Sequence, residues 1–105
     1  MQPQEAPIDL DHTALIIIDM QRDFLEPGGF GELLGNDVSK LRRAVEPCRK
    51  MLNMARSLGL LVIHTREGHR PDLTDLHRFK FQRPGSSNPG LIGTPGPRGR
   101  IMVRG

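Results

Sequence analysis

The chain has 105 residues, with 15 Lys or Arg against 12 Asp or Glu and a formal net charge of +3, a length that holds one domain burying a modest share of its surface. The mild basic excess comes without Trp or Tyr, so a dense phosphate-binding patch with a stacking platform is excluded and no nucleic-acid partner is expected. A single cysteine excludes an internal disulfide framework; with no apolar run of the roughly 18 residues a span needs and no signal-type leader, a cytoplasmic protein with no membrane partner is expected.

Residues 1–12 are polar and interrupted by proline, and read as a flexible arm in front of a domain over 13–105. Ala14-Leu15-Ile16-Ile17-Ile18 then gives five apolar residues in a row, three of them β-branched. Without alternation, the run predicts a buried parallel strand covered on both faces. It ends abruptly in Asp19, where the carboxyl end of a strand opens into a loop, the edge at which open α/β sheets collect ligands and catalytic groups. From position alone Asp19 serves equally well as a cap for the next turn. Pro27-Gly28-Gly29 breaks regular structure, so Phe24 to Gly31 is expected to be a loop over that edge, with Phe30 plugging the core.

From Asp37 to Leu58 the apolar residues Val38, Leu41, Val45, Cys48, Leu52 and Ala55 recur at steps of three and four, the mark of one helical face. Asn36 or Asp37 can cap its start and Gly59 its end, and Pro47 predicts a kink or restart inside it. Cys48 on that stripe is a packing residue. Leu60-Leu61-Val62-Ile63-His64 is a second short apolar run. Strand, helix and strand in about 50 residues make a βαβ unit with parallel neighbouring strands and a right-handed crossover. Both strands then point to one edge, which brings Asp19 beside the loop starting at Thr65. Beyond Pro71, Leu73 to Arg83 reads as a helical turn or packed loop. From Pro84 to Gly105, ten of 22 residues are Gly or Pro, an irregular stretch in which Ile101-Met102-Val103 is the one candidate strand.

Three blocks in order carry a family resemblance: Asp19-Met20-Gln21-Arg22-Asp23-Phe24 after the first strand, His64-Thr65-Arg66-Glu67-Gly68-His69-Arg70-Pro71-Asp72-Leu73, and Pro95-Gly96-Pro97-Arg98-Gly99-Arg100. Together they resemble the isochorismatase-like cysteine hydrolases over about Asp11 to Gly105, the second and third blocks being most similar to the branch of biuret hydrolases and N-carbamoylsarcosine amidases. The resemblance implies an α/β class: the N-terminal βαβ part of a Rossmann-like three-layer α/β/α fold with a parallel sheet, about the first half of the usual domain. It also implies a cysteine hydrolase cleaving the C–N bond of a small amide or ureide through a thioester, without a cofactor.

In such a reaction an aspartate takes the thiol proton, a lysine assists and the thiolate attacks. Asp19 matches the aspartate. Phe24, Glu67, His69 and Arg70 fall where substrate-binding residues are expected. The family's lysine and cysteine lie in later motifs; Lys40, Lys50 and Lys80 match none of their contexts, and Cys48 is on the wrong element. Glu67-Gly68-His69 has the spacing of the Asp-x-His metal pair that nicotinamidases carry, and His64 and Asp72 lie nearby, but the segment is more similar to the metal-free branch and no metal is assigned. Two unpaired parallel strands present open edges, so a homo-oligomer is expected, and the alternative function is a non-catalytic piece that pairs through those edges.

Overall fold

The computed structural model describes residues 5–77, 80, 92–94 and 96–105. Strands β1 (Ala14–Ile17) and β2 (Leu61–His64) form a parallel pair in which Ala14 faces Leu61 and Ile17 faces His64. The ladder continues past the regular strands: the Thr65 N–H donates to the Ile17 carbonyl at 3.0 Å and the Asp19 N–H to the Thr65 carbonyl at 3.3 Å. The expected α/β class and parallel βαβ order therefore hold, and both carboxyl ends open at one edge.

The crossover helix is built in pieces. Asp37 caps α3 (Val38–Leu41) by accepting from the Ser39 N–H at 3.1 Å. A 3₁₀ turn over Arg42–Ala44 follows, and α4 runs from Val45 to Ser57. The expected restart falls just ahead of Pro47 and has a simple cause. Starting at Val45 puts the proline in the first turn of α4, where a missing N–H leaves no intrahelical bond unmade. At the other end Gly59 takes φ +70°, with Leu60 N–H donating to Ala55 at 2.9 Å and Gly59 N–H to Arg56 at 3.2 Å. A left-handed glycine thus closes the last carbonyls and feeds the chain straight into β2.

Three expectations are corrected. The loop after Asp19 contains two single-turn helices, α1 (Arg22–Leu25) and α2 (Phe30–Leu33), packed on each other across Pro27-Gly28-Gly29. That packing is close enough to require glycine: a Cβ on Gly29 would stand 2.7 Å from the Asp23 carbonyl oxygen. Ile101-Met102-Val103 is not a strand. The Met102 N–H returns to the Pro97 carbonyl at 2.9 Å, and Ile101 is buried at φ +60°, so this stretch is a turn and not a ladder partner. Finally, burial along the strands alternates. Ile17 is buried and Leu15 half-buried, whereas Ile16, Leu61 and Ile63 are exposed. The expected cover on both faces is present on one.

Packing is correspondingly thin. Among the described residues the buried apolar ones are Ile17, Phe30, Val38, Ala55 and Ile101, so Phe30 does plug the core. Cys48 is half-buried and lines an apolar groove with Leu15, Ile17 and Met51. The arm contributes Ile8 and Leu10 to a cavity of about 180 Å³ against Met51, Met54 and Leu58 of α4 and its end.

Candidate active site

At the shared carboxyl edge Asp19 adopts φ +54°, a left-handed conformation that Asp tolerates better than most residues and that clusters at functional sites. Thr65 holds it there. Its hydroxyl donates to Asp19 Oδ1 at 2.8 Å and lies 3.1 Å from the Asp19 N–H, which donates to it. A carboxylate with one oxygen held and the residue half-exposed is placed to accept a proton from a group arriving at this edge.

Two residues on, Gln21 clamps the two loops together. Its Nε2 donates to the Glu67 carbonyl at 2.8 Å and its Oε1 accepts from the Glu67 N–H at 2.6 Å, so one side-chain amide replaces a pair of ladder bonds. Asp23 is fully buried and ties a third segment in. Its Oδ1 accepts from Phe30 N–H at 3.3 Å and from Val103 and Arg104 N–H at 2.9 Å each, while Oδ2 is buried without a partner among the described residues. Glu26 lies between Arg22 at 3.0 Å and Arg104 at 3.2 Å. The Arg22 hydrogen bond, and then that from Arg104, hold its carboxyl below the usual range.

Glu67 and His69 share a cation. Lys80 Nζ is paired with Glu67 Oε1 and stands 2.8 Å from His69 Nε2. An ammonium only donates, so His69 accepts at Nε2 and carries its own proton on Nδ1. Among the described residues that buried Nδ1 has no hydrogen-bond partner, Asp75 Oδ1 standing 3.5 Å away. Among the described residues no group of three His, Cys, Asp or Glu is placed to hold a metal ion; the space between Glu67 and His69 is taken by the lysine. Asp75 receives the Arg70 N–H at 3.0 Å on Oδ1 and 3.3 Å on Oδ2, and this bond chiefly holds its carboxyl below the ordinary value.

Of the expected site residues, Asp19, Glu67, His69 and Arg70 thus come to one edge. Phe24, half-buried on α1, lines neither of two cavities that described residues form there. One, of about 250 Å³, lies among Met20, Gln21, His64, Thr65 and Arg66; the other, of about 350 Å³, lies among Arg66, His69, Arg70, Asp75 and Arg100. Gln21, Asp23, Thr65 and Lys80 were not singled out from sequence. Their long-range partners lie 46, 80 and 81, 46, and 13 and 11 residues away respectively, and the only signal came from the Gln and Asp inside the first motif and the Thr inside the second.

The family model for the isochorismatase domain matches residues 13–99. The chain is 37% identical over 67 residues to the ureidoacrylate amidohydrolase RutB of Caulobacter segnis, covering 64% of this chain and 28% of that protein. The same enzyme from Caulobacter vibrioides is also 37% identical over 67 residues, covering 64% of this chain and 30% of the relative. The chain therefore spans less than a third of the length of these relatives. With a parallel βαβ unit and an aspartate at its carboxyl edge, and a match over most of its length, the chain belongs to the isochorismatase family.

Proposed function

We propose that residues 13–105, after an arm over 1–12, supply the aspartate-bearing part of a cysteine hydrolase that cleaves a C–N bond in a small ureide or amide, biuret-like or N-carbamoyl. The observation that carries this is Asp19 held at the sheet edge by Thr65; similarity to ureidoacrylate amidohydrolases supports the substrate class. Asp19 takes the proton of an incoming thiol, the thiolate attacks the carbonyl carbon, Asp19 returns the proton to the nitrogen as the C–N bond breaks and the amine leaves, and water cleaves the resulting thioester to release the acid and restore the thiol. Glu67, His69 and Arg70 line the approach of the substrate, with Phe24 behind the Asp19 loop.

Within these 105 residues Cys48 lines the α4 groove and Lys80 is committed to Glu67 and His69, so the nucleophile and the assisting lysine are other residues. The 105 residues alone turn over no amide, and the working assembly is a cytoplasmic homo-oligomer. A second reading, a non-catalytic piece that pairs through its strands, is favoured by the exposure of Ile16, Ile18, Leu61 and Ile63.

The test exchanges residues 13–99 for the matching stretch of the Caulobacter vibrioides relative and measures hydrolysis of N-carbamoyl-β-alanine and biuret. The chimera should be active on at least one of them, and Asp19→Asn should lower turnover at least about 10²-fold, the low end for a positioned acid–base group. Asn also tolerates positive φ, so the fold is kept. A folded but inactive chimera, or one indifferent to Asp19→Asn, sinks the proposal and leaves the pairing role.

A further inference from the structure

The arm before β1 and the crossover helix carry opposite charge on the two sides of one apolar groove. Over residues 5–12 the arm holds Glu5, Asp9 and Asp11 and no Lys or Arg. From Asp37 to Ser57 the helical stretch holds six Lys or Arg against two acids, the capping Asp37 and Glu46. Between arm and helix lies the cavity of about 180 Å³, lined by Ile8 and Leu10 from the one and Met51, Met54 and Leu58 from the other. These five residues are 44–74% exposed, so the arm of a single copy lies along the groove without closing it.

The charges on the two flanks are not spent within the copy. Among the described residues no ion pair joins arm to helix: Asp9 pairs with His12, and Glu46 with Arg49. Glu5 and Asp11 on the arm, and Arg43 and Lys50 on the helix, are exposed and in no ion pair among the described residues. Lys50 stands one helical turn before Met54, and Arg43 two turns before Lys50, so a basic strip borders the exposed methionines.

An apolar strip with acid along one side and base along the other is complementary to itself. A half-turn about an axis lying along the groove sets each acidic flank on the partner's basic flank and brings the two apolar strips face to face. Apolar surface rimmed by charge marks a protein contact, and opposite charges across it fix the register. An unrelated acidic protein answers only the helix and leaves the arm's carboxylates beside its own. We infer that this groove docks a second copy of the chain, the arm of each copy crossing the α4 of the other. The inference gives a surface to the homo-oligomer named above, on which it rests, and is independent of the chemistry at Asp19. Ile16 and Ile63, on the open sheet face, do not line this groove.

Sedimentation equilibrium of the 105-residue chain tests it. Glu5→Lys with Asp11→Lys makes both flanks basic, and Arg43→Glu with Lys50→Glu makes both acidic. All four residues are exposed, so the fold, followed by circular dichroism, is kept. Each variant alone should associate at least about tenfold more weakly than the parent, as attraction between surface charges turns to repulsion. An equimolar mixture of the two variants should regain the parent's affinity, because in the mixed pair every acidic flank again meets a basic one. Pairing of arm and helix within one copy gives no such recovery. A parent that sediments as a single copy overturns the inference and the homo-oligomer together, leaves the groove to an unrelated acidic partner, and does not touch the hydrolase reading. Variants that associate as the parent does overturn this surface and leave the homo-oligomer standing. Variants that weaken without recovering on mixing overturn the exchange of arms between copies.

Discussion

The two sides of this small sheet are finished in different ways. At the carboxyl edge, polar groups from four stretches of chain are joined: Asp19 to Thr65, Gln21 to Glu67, Asp23 to Phe30, Val103 and Arg104, and His69 to Arg100. On the faces of the strands, by contrast, Ile16, Ile18, Leu61 and Ile63 stay 40–67% exposed. A buried polar group without a partner costs as much as a lost hydrogen bond, and such groups are therefore paired wherever the chain can reach. Apolar area is non-directional and can be covered by any neighbour. Among the described residues the polar edge is paired except at Asp23 Oδ2 and His69 Nδ1; the apolar layer is left open.

The sharpest way to break the polar side is at Asp23, where three N–H groups converge on one oxygen inside the protein. Asp23→Ala should cost about 3 kcal/mol in denaturant unfolding, since it leaves buried donors without an acceptor. Asp23→Asn keeps an equivalent of Oδ1 and removes a charge whose second oxygen has no partner among the described residues, so it should cost less than half as much. Equal losses in the two variants would mean that packing and not hydrogen bonding fixes the 101–105 turn.

Gln21 comes next. Gln21→Ala removes both halves of the clamp on Glu67 and should cost about 1.5 kcal/mol, close to two ordinary hydrogen bonds less the water that replaces them. A local readout separates this from general loosening. Exchange of the Glu67 amide should speed up more than that of the Leu60 amide, which donates to Ala55 at the far end of β2. Uniform acceleration along β2 contradicts a clamp.

These two residues also mark where the sequence stops being informative. The strand, helix and strand were readable because apolar runs and steps of three and four are local patterns, and Asp37 and Gly59 sit where cap chemistry puts them. The meeting of Asp19 with the Thr65 loop followed from parallel topology alone. That Gln21 would grip the Glu67 backbone, that Asp23 would gather a turn 80 residues away, and that Lys80 would join Glu67 to His69 were not readable. Side-chain bonds across such separations leave no period in the sequence. The unbroken apolar strand 14–18 described a residue type suited to two covered faces and could not say that one face would be open.

Cys48 tests the border between the two sides. It is half-buried among Leu15, Ile17 and Met51, so Cys48→Ala should cost about 1 kcal/mol or less by denaturant unfolding, the loss of a small and partly buried group. In the chimera, turnover should be unchanged. A folded Cys48→Ala chimera without activity would make the α4 groove part of the chemistry.

The smallest thermodynamic effect is expected on the open face, and it carries the most information about association. Ile16 and Ile63 are directly opposite in the β1–β2 register and are 52% and 40% exposed. Replacing both with Thr keeps β-branched side chains, and so strand preference, while removing apolar area from the surface. Because these side chains bury little within the chain, the unfolding free energy should change by less than about 0.5 kcal/mol per site, as for ordinary surface positions. What should change is mass. Contiguous exposed apolar surface beside unpaired strand edges favours contact between copies, so light scattering should show the parent chain above the mass of a single copy and the double variant shifted toward it. A parent chain that is already monodisperse at one copy contradicts the expectation of a homo-oligomer built on this face. A double variant that loses several kcal/mol would show that Ile16 and Ile63 are packed after all, and that the open side of the sheet is covered in solution by the chain's own residues.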